Sequence, residues 1–546
     1  MNWFVGCGAC AAVLLSAGAV GADGLRVVTW NITNYRGGLI EDIQTVAYST
    51  FVDRTLAADV FLLQEFHSTT SLNDFVQAVN TAPGSPGDWE PAPFVLSRDT
   101  ENACVYRSSK LEFIETFQIS KGGSNPLGPR DTDRFDFRLA GYPDGLAEAE
   151  LSIYGVHLKA SQGSTNETRR FNQAKLIRDN ADGLDTNPFD GRDDALPDGR
   201  HFLLAGDLNV YRSTEPAYQE LTLSFDQVPT TFDSDSQNDR SDNTGQLFDP
   251  INTPGNWNNS SAFRYVHSQD PVGGGGMDDR LDQILVGASL LDGGGMDYQG
   301  SYPIRFSTST WNDPNHSYRT WGNDGSSFNS SLRTQGNIMV GAQIAESIIR
   351  LADNSGHLPV YLDLVVPAVL SIPDDIDLGE VTLGDSVDVF FEIGSGGDAA
   401  LWGAGGVEAT SYAVHQTVPE GPFAVNGEDA AGGGLDVYQY SFDAEQLGAQ
   451  SVTFLVTSND PAAPTETFSI FATVVEPPLE ACPGDTDFDA DVDAADFIAV
   501  LVGFGSSDAD RATGDLDGDG SVGVSDFIQI LTAFGKVYGP GCSAAN

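Results

Sequence analysis

His201-Phe202-Leu203-Leu204-Ala205-Gly206-Asp207-Leu208-Asn209 joins an apolar run to a carboxylate and an amide. A short apolar run of this kind predicts a buried strand, here His201–Ala205. Polar groups that directly follow a buried strand lie at an edge of the sheet, where loops carry binding and catalytic residues. The stretch therefore predicts a layered domain in which Asp207 and Asn209 lie at a functional edge.

Comparable positions beside other strand candidates hold an amide, an acid and two of the seven histidines: Asn31, Glu65, His157 and His357. Taken alone, each histidine is more often structural. If the strands belong to one layered domain, these groups can converge on one cleft. Such a cleft would hold a divalent cation through Glu65 and accommodate a phosphate.

From Leu25 to about Leu364, short β-branched runs alternate with Gly-, Asp- and Asn-rich loops. The predicted strands are Leu25–Trp30, Val60–Gln64, Ala103–Arg107, Leu151–His157, His201–Ala205, Asp282–Val286 and Leu358–Asp363. The predicted helices are Ile43–Ala57, Leu72–Asn80, Glu167–Asn180 and Ile338–Ala352. Strands interleaved with helices indicate a layered α/β domain.

Composition limits the functional classes. A chain of 546 residues is too long for one ordinary core, and its 60 glycines and 27 prolines favour turns and short strands. Because 27 Lys and Arg stand against 78 Asp and Glu, the net charge is −51. This excludes a general nucleic-acid-coating role unless bound cations or one local basic cleft offset the field. It fits a secreted protein in salty, calcium-containing water.

Residues 1–22 are predicted to be a signal peptide. An apolar run from Trp3 to Val20 ends in Val20-Gly21-Ala22, the small-residue pattern of a cleavage site. No Lys or Arg precedes Trp3, so an uncleaved anchor remains the alternative. We expect a secreted or cell-surface protein that starts near Asp23, with no transmembrane segment in the mature chain.

A repeat of carboxylates followed by an apolar helix occupies residues 484–505 and 514–535. Oxygen ligands at alternate positions wrap a hard cation, so both copies are predicted to bind Ca²⁺. The predicted ligands are Asp485, Asp487, Asp489 and Asp496 in the first copy and Asp515, Asp517, Asp519 and Asp526 in the second. Gly520 supplies the sharp turn of the second loop, whereas Ala490 replaces it in the first, which is the weaker predicted site.

The cysteines divide into two groups. Cys482 and Cys542 bracket this C-terminal module, so in an oxidising compartment they are predicted to form a disulfide. Cys104, within an apolar run, is predicted to be buried packing rather than a nucleophile.

Six motifs occur in the order in which the endonuclease/exonuclease/phosphatase superfamily has them. They are Trp30-Asn31, Gln64-Glu65, His157-Leu158-Lys159, Gly206-Asp207-Leu208-Asn209, Arg280–Leu285 and Ser355–Val360. The region Leu25–Leu364 therefore resembles this superfamily, the metal-dependent fold of deoxyribonuclease I. The resemblance implies a four-layered α/β sandwich as the catalytic domain, within residues 23–364.

The resemblance also implies a metal side of the site. Glu65 would be the main ligand of Mg²⁺ or Mn²⁺, and Asn31 would lie beside the metal or the phosphate. One position departs from the family pattern, because Gly356 stands where the family usually has Asp before the last histidine. Asp353 is the nearest carboxylate that could substitute, although spacing does not show that it does.

The remaining motif residues would carry the chemistry. Asp207 and Asn209 would position the attacking water and the phosphoryl oxygen. His357 would act as general acid and base, oriented by Asp282, and His157 would donate to a phosphate oxygen. Hydrolysis needs such an imidazole, whose tautomer a carboxylate fixes.

Substrate is the least determined prediction, because one fold serves many substrates. Arg169, Arg170 and Lys159, together with the aromatic stretch from Tyr318 to Gly325, offer groups for gripping a phosphate backbone, or equally for packing. We expect a secreted nuclease that hydrolyses DNA or RNA by in-line attack of water. The alternatives are a phosphatase or a sphingomyelinase-like phosphodiesterase, and a non-catalytic calcium-stabilised adhesion or assembly protein.

Two further modules are predicted. Residues 365–476 alternate like an antiparallel β-sandwich, and Leu378–Asp385 with Thr457–Pro461 resembles the Hydin/choice-of-anchor type of immunoglobulin-like domain. Residues 477–546 resemble a type I dockerin, which implies a small helical module of paired calcium loops. Dockerins bind cohesins, so a cohesin-like or cell-surface partner is the expectation for this module.

Overall fold

A computed structural model describes residues 23–95, 99–123, 127–186, 192–228, 244–273, 275–353, 355–476 and 482–538. The predicted signal peptide and Cys542 lie outside the described residues. Cys482 is disulfide-bonded, and Cys104 is a free, buried thiol, as predicted. Within the described ranges, no helix has the length and apolar character needed to cross a bilayer.

Two β-sheets form the centre of the N-terminal domain. Its strands are β1 (Leu25–Tyr35), β2 (Val60–Phe66), β3 (Trp89–Pro91), β4 (Glu101–Arg107), β5 (Leu111–Ser120), β6 (Thr132–Leu139), β7 (Glu150–His157), β8 (His201–Asp207), β9 (Leu247–Phe248), β10 (Asp282–Gly287), β11 (Asp297–Tyr298), β12 (Arg319–Thr320) and β13 (Val360–Val365). Its helices are α1 (Ile40–Tyr48), α2 (Thr69–Thr81), α3 (Ser164–Ala181), α4 (Pro216–Thr222) and α5 (Gly341–Ala352). The first sheet has the order β11-β13-β1-β2-β4-β3, with β12 paired to β13, and the second has the order β5-β6-β7-β8-β10-β9.

Alternation of side chains along the strands explains the layers, since successive residues point to opposite faces of a sheet. Leu62 on β2 and Leu203 on β8 meet in one core between the two sheets. Phe61 packs outward with helices α1, α2 and α5, and Leu204 packs outward with α3 and α4. The predicted four-layered α/β sandwich is therefore observed.

Strand register brings the polar strand ends to one edge. β1 and β2 are parallel, with Asn31 opposite Gln64, and β7 and β8 are parallel, with His157 opposite Asp207. β10 is antiparallel to β8, so that its first residue, Asp282, is opposite Asp207. The carboxyl ends of β1, β2, β7 and β8 and the amino end of β10 thus lie on the same side of the domain.

Two sheets follow the N-terminal domain, and all their strand pairs are antiparallel, as predicted, except for one parallel pair between Ile376–Thr382 and Thr465–Val475. Their strands are β14 (Leu370–Ser371), β15 (Ile376–Thr382), β16 (Ser386–Ser395), β17 (Thr410–Val418), β18 (Glu420–Asp429), β19 (Asp436–Asp443), β20 (Gly448–Ser458) and β21 (Thr465–Val475), with α6 (Ala399–Trp402) between β16 and β17. The orders are β14-β16-β19 and β15-β21-β20-β17-β18, and both sheets bury one apolar core. Trp402 joins the N-terminal core, and Nζ of Lys110 lies 5.1 Å from its ring centroid.

The last described part contains two helices, α7 (Ala494–Gly503) and α8 (Val524–Ala533), each preceded by an acidic loop. Among the predicted elements, the helix Ile43–Ala57 is wrong in its second half, because α1 ends at Tyr48. Phe51 and Arg54 then pair across a tight turn, with positive φ at Val52 and Asp53, and such a turn cannot continue a helix.

Candidate active site

The most tightly fixed pair at the polar edge is His357 and Asp282. Nδ1 of His357 lies 2.6 Å from Oδ2 of Asp282. The same oxygen accepts a 2.6 Å hydrogen bond from Oγ of Ser268, and the backbone N–H of Asp282 donates to that Oγ at 3.1 Å. The indole N–H of Trp30 donates to the carbonyl of His357 at 3.2 Å. His357 is therefore held both at Nδ1 of its ring and at its backbone carbonyl.

Asp207 connects the other predicted groups. Its Oδ2 lies 3.8 Å from Nε2 of His357 and 3.3 Å from Nε2 of His157, and it accepts from Nδ2 of Asn31 at 3.2 Å. Oδ1 accepts from the backbone N–H of Asn209 at 3.0 Å. Asp207 is only 2 % exposed, so four of the predicted residues surround one buried carboxylate.

Glu65 forms the side of the cluster nearest Asn31. Its Oε1 accepts from Nδ2 of Asn31 at 3.3 Å and lies 4.0 Å from Nε2 of His157, and its Oε2 accepts from the backbone N–H of Asn34 at 2.9 Å. Glu65 has φ +65°, a conformation that costs a non-glycine residue about 1 kcal/mol or more. The backbone conformation that places this carboxylate is therefore unfavourable for folding.

The donor set at Glu65 and Asn31 fits a hard divalent cation. Oδ1 of Asn31 is buried and has no hydrogen-bond partner among the described residues. An orphaned buried oxygen beside a carboxylate is costly unless a ligand satisfies it. Carboxylate and amide oxygens are the ligands that Mg²⁺ and Mn²⁺ prefer.

Asn209, predicted with Asp207 to position the attacking water and the phosphoryl oxygen, also has a structural contact. Its Nδ2 donates to the carbonyl of Leu158 at 3.2 Å, so the side chain ties the loop after β8 to the loop after β7. Leu158 returns a backbone hydrogen bond to Asp207 at 2.9 Å. In this arrangement Asn209 holds His157 and Asp207 side by side.

Burial and neighbouring charges shift the pKa values of the two histidines in opposite directions. Burial acts to lower the pKa of His357, but Asp282 and Asp207 outweigh it and raise that pKa to about 10. Burial lowers the pKa of His157 well below its usual value, and Arg130 adds to this effect. Burial also raises the pKa of Asp207 to about 6, against the opposing effect of His357. The surroundings therefore favour the protonated form of His357 and the neutral form of His157.

Gly356, the departure from the family pattern, has no room for a side chain. A Cβ at this position would lie 2.3 Å from Cα and from the carbonyl oxygen of Ala352. Asp353 directly follows α5, and the described contacts of the cluster do not include it. The backbone of Gly356 instead accepts from the N–H of Asp270 at 3.1 Å.

The predicted calcium ligands come together in part. One carboxylate oxygen each of Asp485, Asp487 and Asp496 lies within 4.8 Å of the others, as do those of Asp515, Asp517 and Asp519. Asp489 is in neither of these two groups; it accepts from the backbone N–H of Asp491, as Asp519 accepts from that of Ser521. Asp526 caps backbone N–H groups of its own loop, at 2.7 Å from both Leu516 and Gly523.

Of the side chains considered for binding a phosphate backbone, some are buried and others are partly exposed. Tyr318, Trp321 and Arg170 are 0 to 1 % exposed, so they pack inside the domain. Arg170 donates to the carbonyls of Lys159 and Ser161 at 2.7 and 2.9 Å. Lys159 and Arg169 remain partly exposed.

Sequence reasoning missed Ser268, which holds Asp282, and Arg130, which acts on the pKa of His157 and Asp207. Ser268 belongs to no strand or helix, so no local pattern marks it. Arg130 follows a Gly- and Pro-containing loop just before β6, a strand that had not been predicted. A basic residue in a strongly acidic chain was the available signal for Arg130.

No protein-family model and no curated protein matches the chain. Solved structures that it resembles include an endonuclease/exonuclease/phosphatase from Beutenbergia cavernae DSM 12333, at 13 % identity and TM-score 0.31, covering 82 % of this chain and 99 % of that one. The human Nocturnin catalytic domain with bound sulfate matches at 13 % identity and TM-score 0.30, over 62 % and 93 % of the chains. A hairpin-deletion mutant of Staphylococcus aureus beta toxin matches at 14 % and 0.30, over 53 % and 95 %. These identities and TM-scores are too low to transfer any residue's role to this chain.

Proposed function

We propose that the N-terminal domain is a divalent-metal-dependent phosphoester hydrolase, and specifically a phosphodiesterase that cleaves DNA or RNA. One observation carries the proposal: the buried chain Asp282–His357–Asp207 adjoins the Asn31–Glu65 pair at a single strand edge. A fixed imidazole, a buried carboxylate and a hard oxygen donor set are the groups that phosphoester hydrolysis needs.

Glu65 and the free Oδ1 of Asn31 would hold Mg²⁺ or Mn²⁺. When bound, the cation supplies positive charge that offsets the charge developing on the phosphate oxygens. Asn31 also donates to Asp207 at 3.2 Å. Movement of Asn31 would therefore disturb both the metal side and the proton-transfer side of the cluster.

His357 and Asp207 would divide the proton transfers of hydrolysis. The attacking water adds its oxygen to phosphorus and loses a proton, while the departing ester oxygen gains one. Because Asp282 occupies Nδ1, Nε2 is the nitrogen of His357 that remains to exchange a proton with water or with the leaving oxygen. Asp207 faces that nitrogen and would orient the water. His157, neutral and beside Asp207, would donate to a phosphate oxygen.

A diester of nucleic acid is favoured over a membrane lipid. A lipid-cleaving enzyme needs apolar side chains that enter the bilayer. In the described part of the N-terminal domain, the exposed large apolar side chains are Leu39, Val52, Ile114, Tyr302, Ile304 and Ile338, and Tyr302 is the one aromatic among them. Partly exposed cations are present instead at Lys159, two residues after His157, and at Arg169 on α3.

The test is plasmid nicking and RNA degradation by the purified full-length protein with Mg²⁺, Mn²⁺ or a chelator. We expect cleavage that requires the metal and is lost in His357→Ala. Sphingomyelin and p-nitrophenyl phosphate serve as parallel substrates. If either of these is hydrolysed while both nucleic acids stay intact, the nuclease proposal is wrong. If nothing is hydrolysed, the non-catalytic alternative replaces it.

Three accompanying proposals concern the rest of the chain. Export is proposed from residues 1–22, and a docking partner from the resemblance of residues 477–546 to a dockerin. Calcium binding is supported by the carboxylate groups around Asp485 and Asp515. Calorimetric titration with Ca²⁺ tests the last proposal, and two binding steps are expected.

A further inference from the structure

Three cations surround the His157 side of the site in a protein whose net charge is −51. Lys159 is two residues beyond His157, Arg169 is on α3, and Arg130 precedes β6. After burial, Arg130 and Lys159 are among the charges that lower the pKa of His157. Arg130 and Lys159 therefore lie close enough to act on His157, and Arg169 lies close enough to act on Lys159.

Carboxylates neutralise this group only in part. Across the described ranges, neither Lys159 nor Arg169 takes part in an ion pair. Nζ of Lys159 donates to the carbonyl of Ala160 at 2.7 Å, and Nε of Arg169 donates to that of Leu127 at 2.6 Å. Burial lowers the pKa of Lys159, and Arg130, Arg169 and Arg170 lower it further. The like charges thus repel one another, and an anion would relieve that repulsion.

Arg130 has donor capacity that no described residue uses. Its Nε donates to Oγ1 of Thr100 at 3.3 Å and lies 3.4 Å from Oδ2 of Asp99. Its Nη1 is buried without a hydrogen-bond partner within the described residues. A guanidinium presents five N–H donors in a planar fork suited to phosphate.

Helix α3 holds the two loops that carry these cations. Oε1 of Gln173 accepts from the backbone N–H of Lys159 at 3.2 Å, and its Nε2 donates to the carbonyl of Arg130 at 3.4 Å. A Cβ on Gly128 would lie 2.3 Å from Oε1 of Gln173, so the Arg130 loop packs directly on this amide. Arg170 fixes the Lys159 loop through two carbonyls. The arrangement is built by buried residues rather than by chance surface charge.

We propose that Arg130, Lys159 and Arg169 form a cationic subsite that binds a second phosphate of the substrate, next to the phosphate being cleaved. The inference rests on the proposed nuclease function and narrows it to substrates with a continuing sugar-phosphate backbone. It also explains how a strongly acidic protein accepts a polyanion, since a local basic cleft offsets the field.

The experiment compares two diesters: a short fluorescein-labelled DNA or RNA oligonucleotide and bis(p-nitrophenyl) phosphate, which has one phosphate. In Arg130→Met, Lys159→Met, Arg169→Met and the triple variant, kcat/KM for the oligonucleotide should fall about 10-fold or more beyond any loss on the small diester. The dependence of log kcat/KM on log salt should flatten by about 0.7 for each cation removed.

Two variants control the comparison. Lys175→Met removes a cation from the same helix, where it pairs with Asp179 at 3.2 Å, and should keep the salt slope of the wild type. Lys159→Arg keeps the charge and should restore most of the oligonucleotide activity. Equal losses on both substrates, or an unchanged salt slope in the triple variant, would overturn the subsite.

A binding measurement distinguishes an error in the proposed subsite from an error in the proposed function. If the wild type cleaves neither diester, the nuclease function is wrong. Fluorescence anisotropy with the same oligonucleotide then decides the subsite: weaker binding by the triple variant than by Lys175→Met supports it, and equal binding overturns it.

Discussion

Oδ2 of Asp282 lies 2.6 Å from Nδ1 of His357 and also accepts from Oγ of Ser268, whereas its other oxygen, Oδ1, is buried without a partner among the described residues. The carboxylate therefore directs its negative charge at one ring nitrogen. Since a carboxylate can only accept, Nδ1 carries a proton. Nε2 is then the nitrogen that faces Asp207.

Asp282→Asn should leave the fold intact and lower kcat about 100- to 10,000-fold, because an amide neither fixes the tautomer of His357 nor stabilises its charge. The measurement is steady-state hydrolysis of the substrate found for the wild type. Ser268→Ala removes one hydrogen bond to Asp282 and should cost much less. Activity of Asp282→Asn within a few-fold of the wild type would contradict the assigned orientation.

Glu65→Gln should abolish metal-dependent activity and weaken Mn²⁺ binding by about 10-fold or more, since even indirect supports of a metal site cost that much. The glutamine retains one oxygen to accept from the N–H of Asn34, so the loop is expected to fold. Calorimetry with Mn²⁺ measures the affinity. Glu41→Gln, an exposed acid on α1, is the matched control, and equal affinities of the two variants would contradict the role of Glu65.

The strand ends of the site could be predicted because each is a local pattern. An apolar run followed by a polar residue marks Asn31, Glu65, His157 and Asp207 without knowledge of the fold. Their convergence follows from register, since parallel pairs place Asn31 level with Gln64 and His157 level with Asp207. Local pattern and sheet geometry together therefore explain most of the candidate site.

Strand β6 was missed although Phe135, Phe137 and Leu139 alternate with charged residues, a pattern typical of a strand. What that pattern does not indicate is that the charged face is buried as well. Arg134 and Asp136 are each 1 % exposed and form a 2.9 Å ion pair, and Arg200 reaches the same carboxylate at 3.0 Å. A hydrophobicity pattern reads such residues as solvent-facing, although paired charges can be buried. Arg130 precedes this strand, so the cationic subsite could not be placed from sequence either.

Stability of the N-terminal domain should fall in mild acid because of His267. This histidine is fully buried, and burial lowers its pKa from 6.5 to about 4, against a weak opposing contact with the carbonyl of Met277. In the unfolded chain the ring takes up a proton near pH 6.5, whereas the folded protein resists it. The stabilisation is thus complete above pH 6.5 and is lost as pH falls to about 4, by up to about 3 kcal/mol.

Urea unfolding followed by tryptophan fluorescence, at several pH values between 7 and 4, measures this loss. In His267→Gln the free energy of unfolding should decrease less between pH 7 and pH 4, since the glutamine amide does not titrate. His415→Gln changes an exposed histidine in β17 and should show the same decrease in the free energy of unfolding as the wild type. Parallel curves for the wild type and His267→Gln would show that other groups cause the acid sensitivity.

Ala490→Gly should strengthen Ca²⁺ binding by the first acidic loop, the weaker of the two proposed calcium sites. Ala490 has φ +70°, the left-handed conformation that Gly520 adopts at φ +85° in the second loop. In each loop this residue's N–H donates to the first aspartate, Asp485 at 3.1 Å or Asp515 at 2.8 Å. That conformation is about 1 kcal/mol less favourable for alanine than for glycine, so the affinity of the first loop for Ca²⁺ should rise about fivefold.

Calcium titration of the full chain tests this, with Gly520→Ala as the reciprocal change. We expect the weaker step to tighten in Ala490→Gly and the tighter step to weaken in Gly520→Ala. Ala495→Gly, in the first turn of α7, places a glycine where the backbone is helical and should weaken binding instead. If Ala490→Gly and Ala495→Gly change affinity in the same direction, general loosening of the module, rather than relief of strain at position 490, explains the effect.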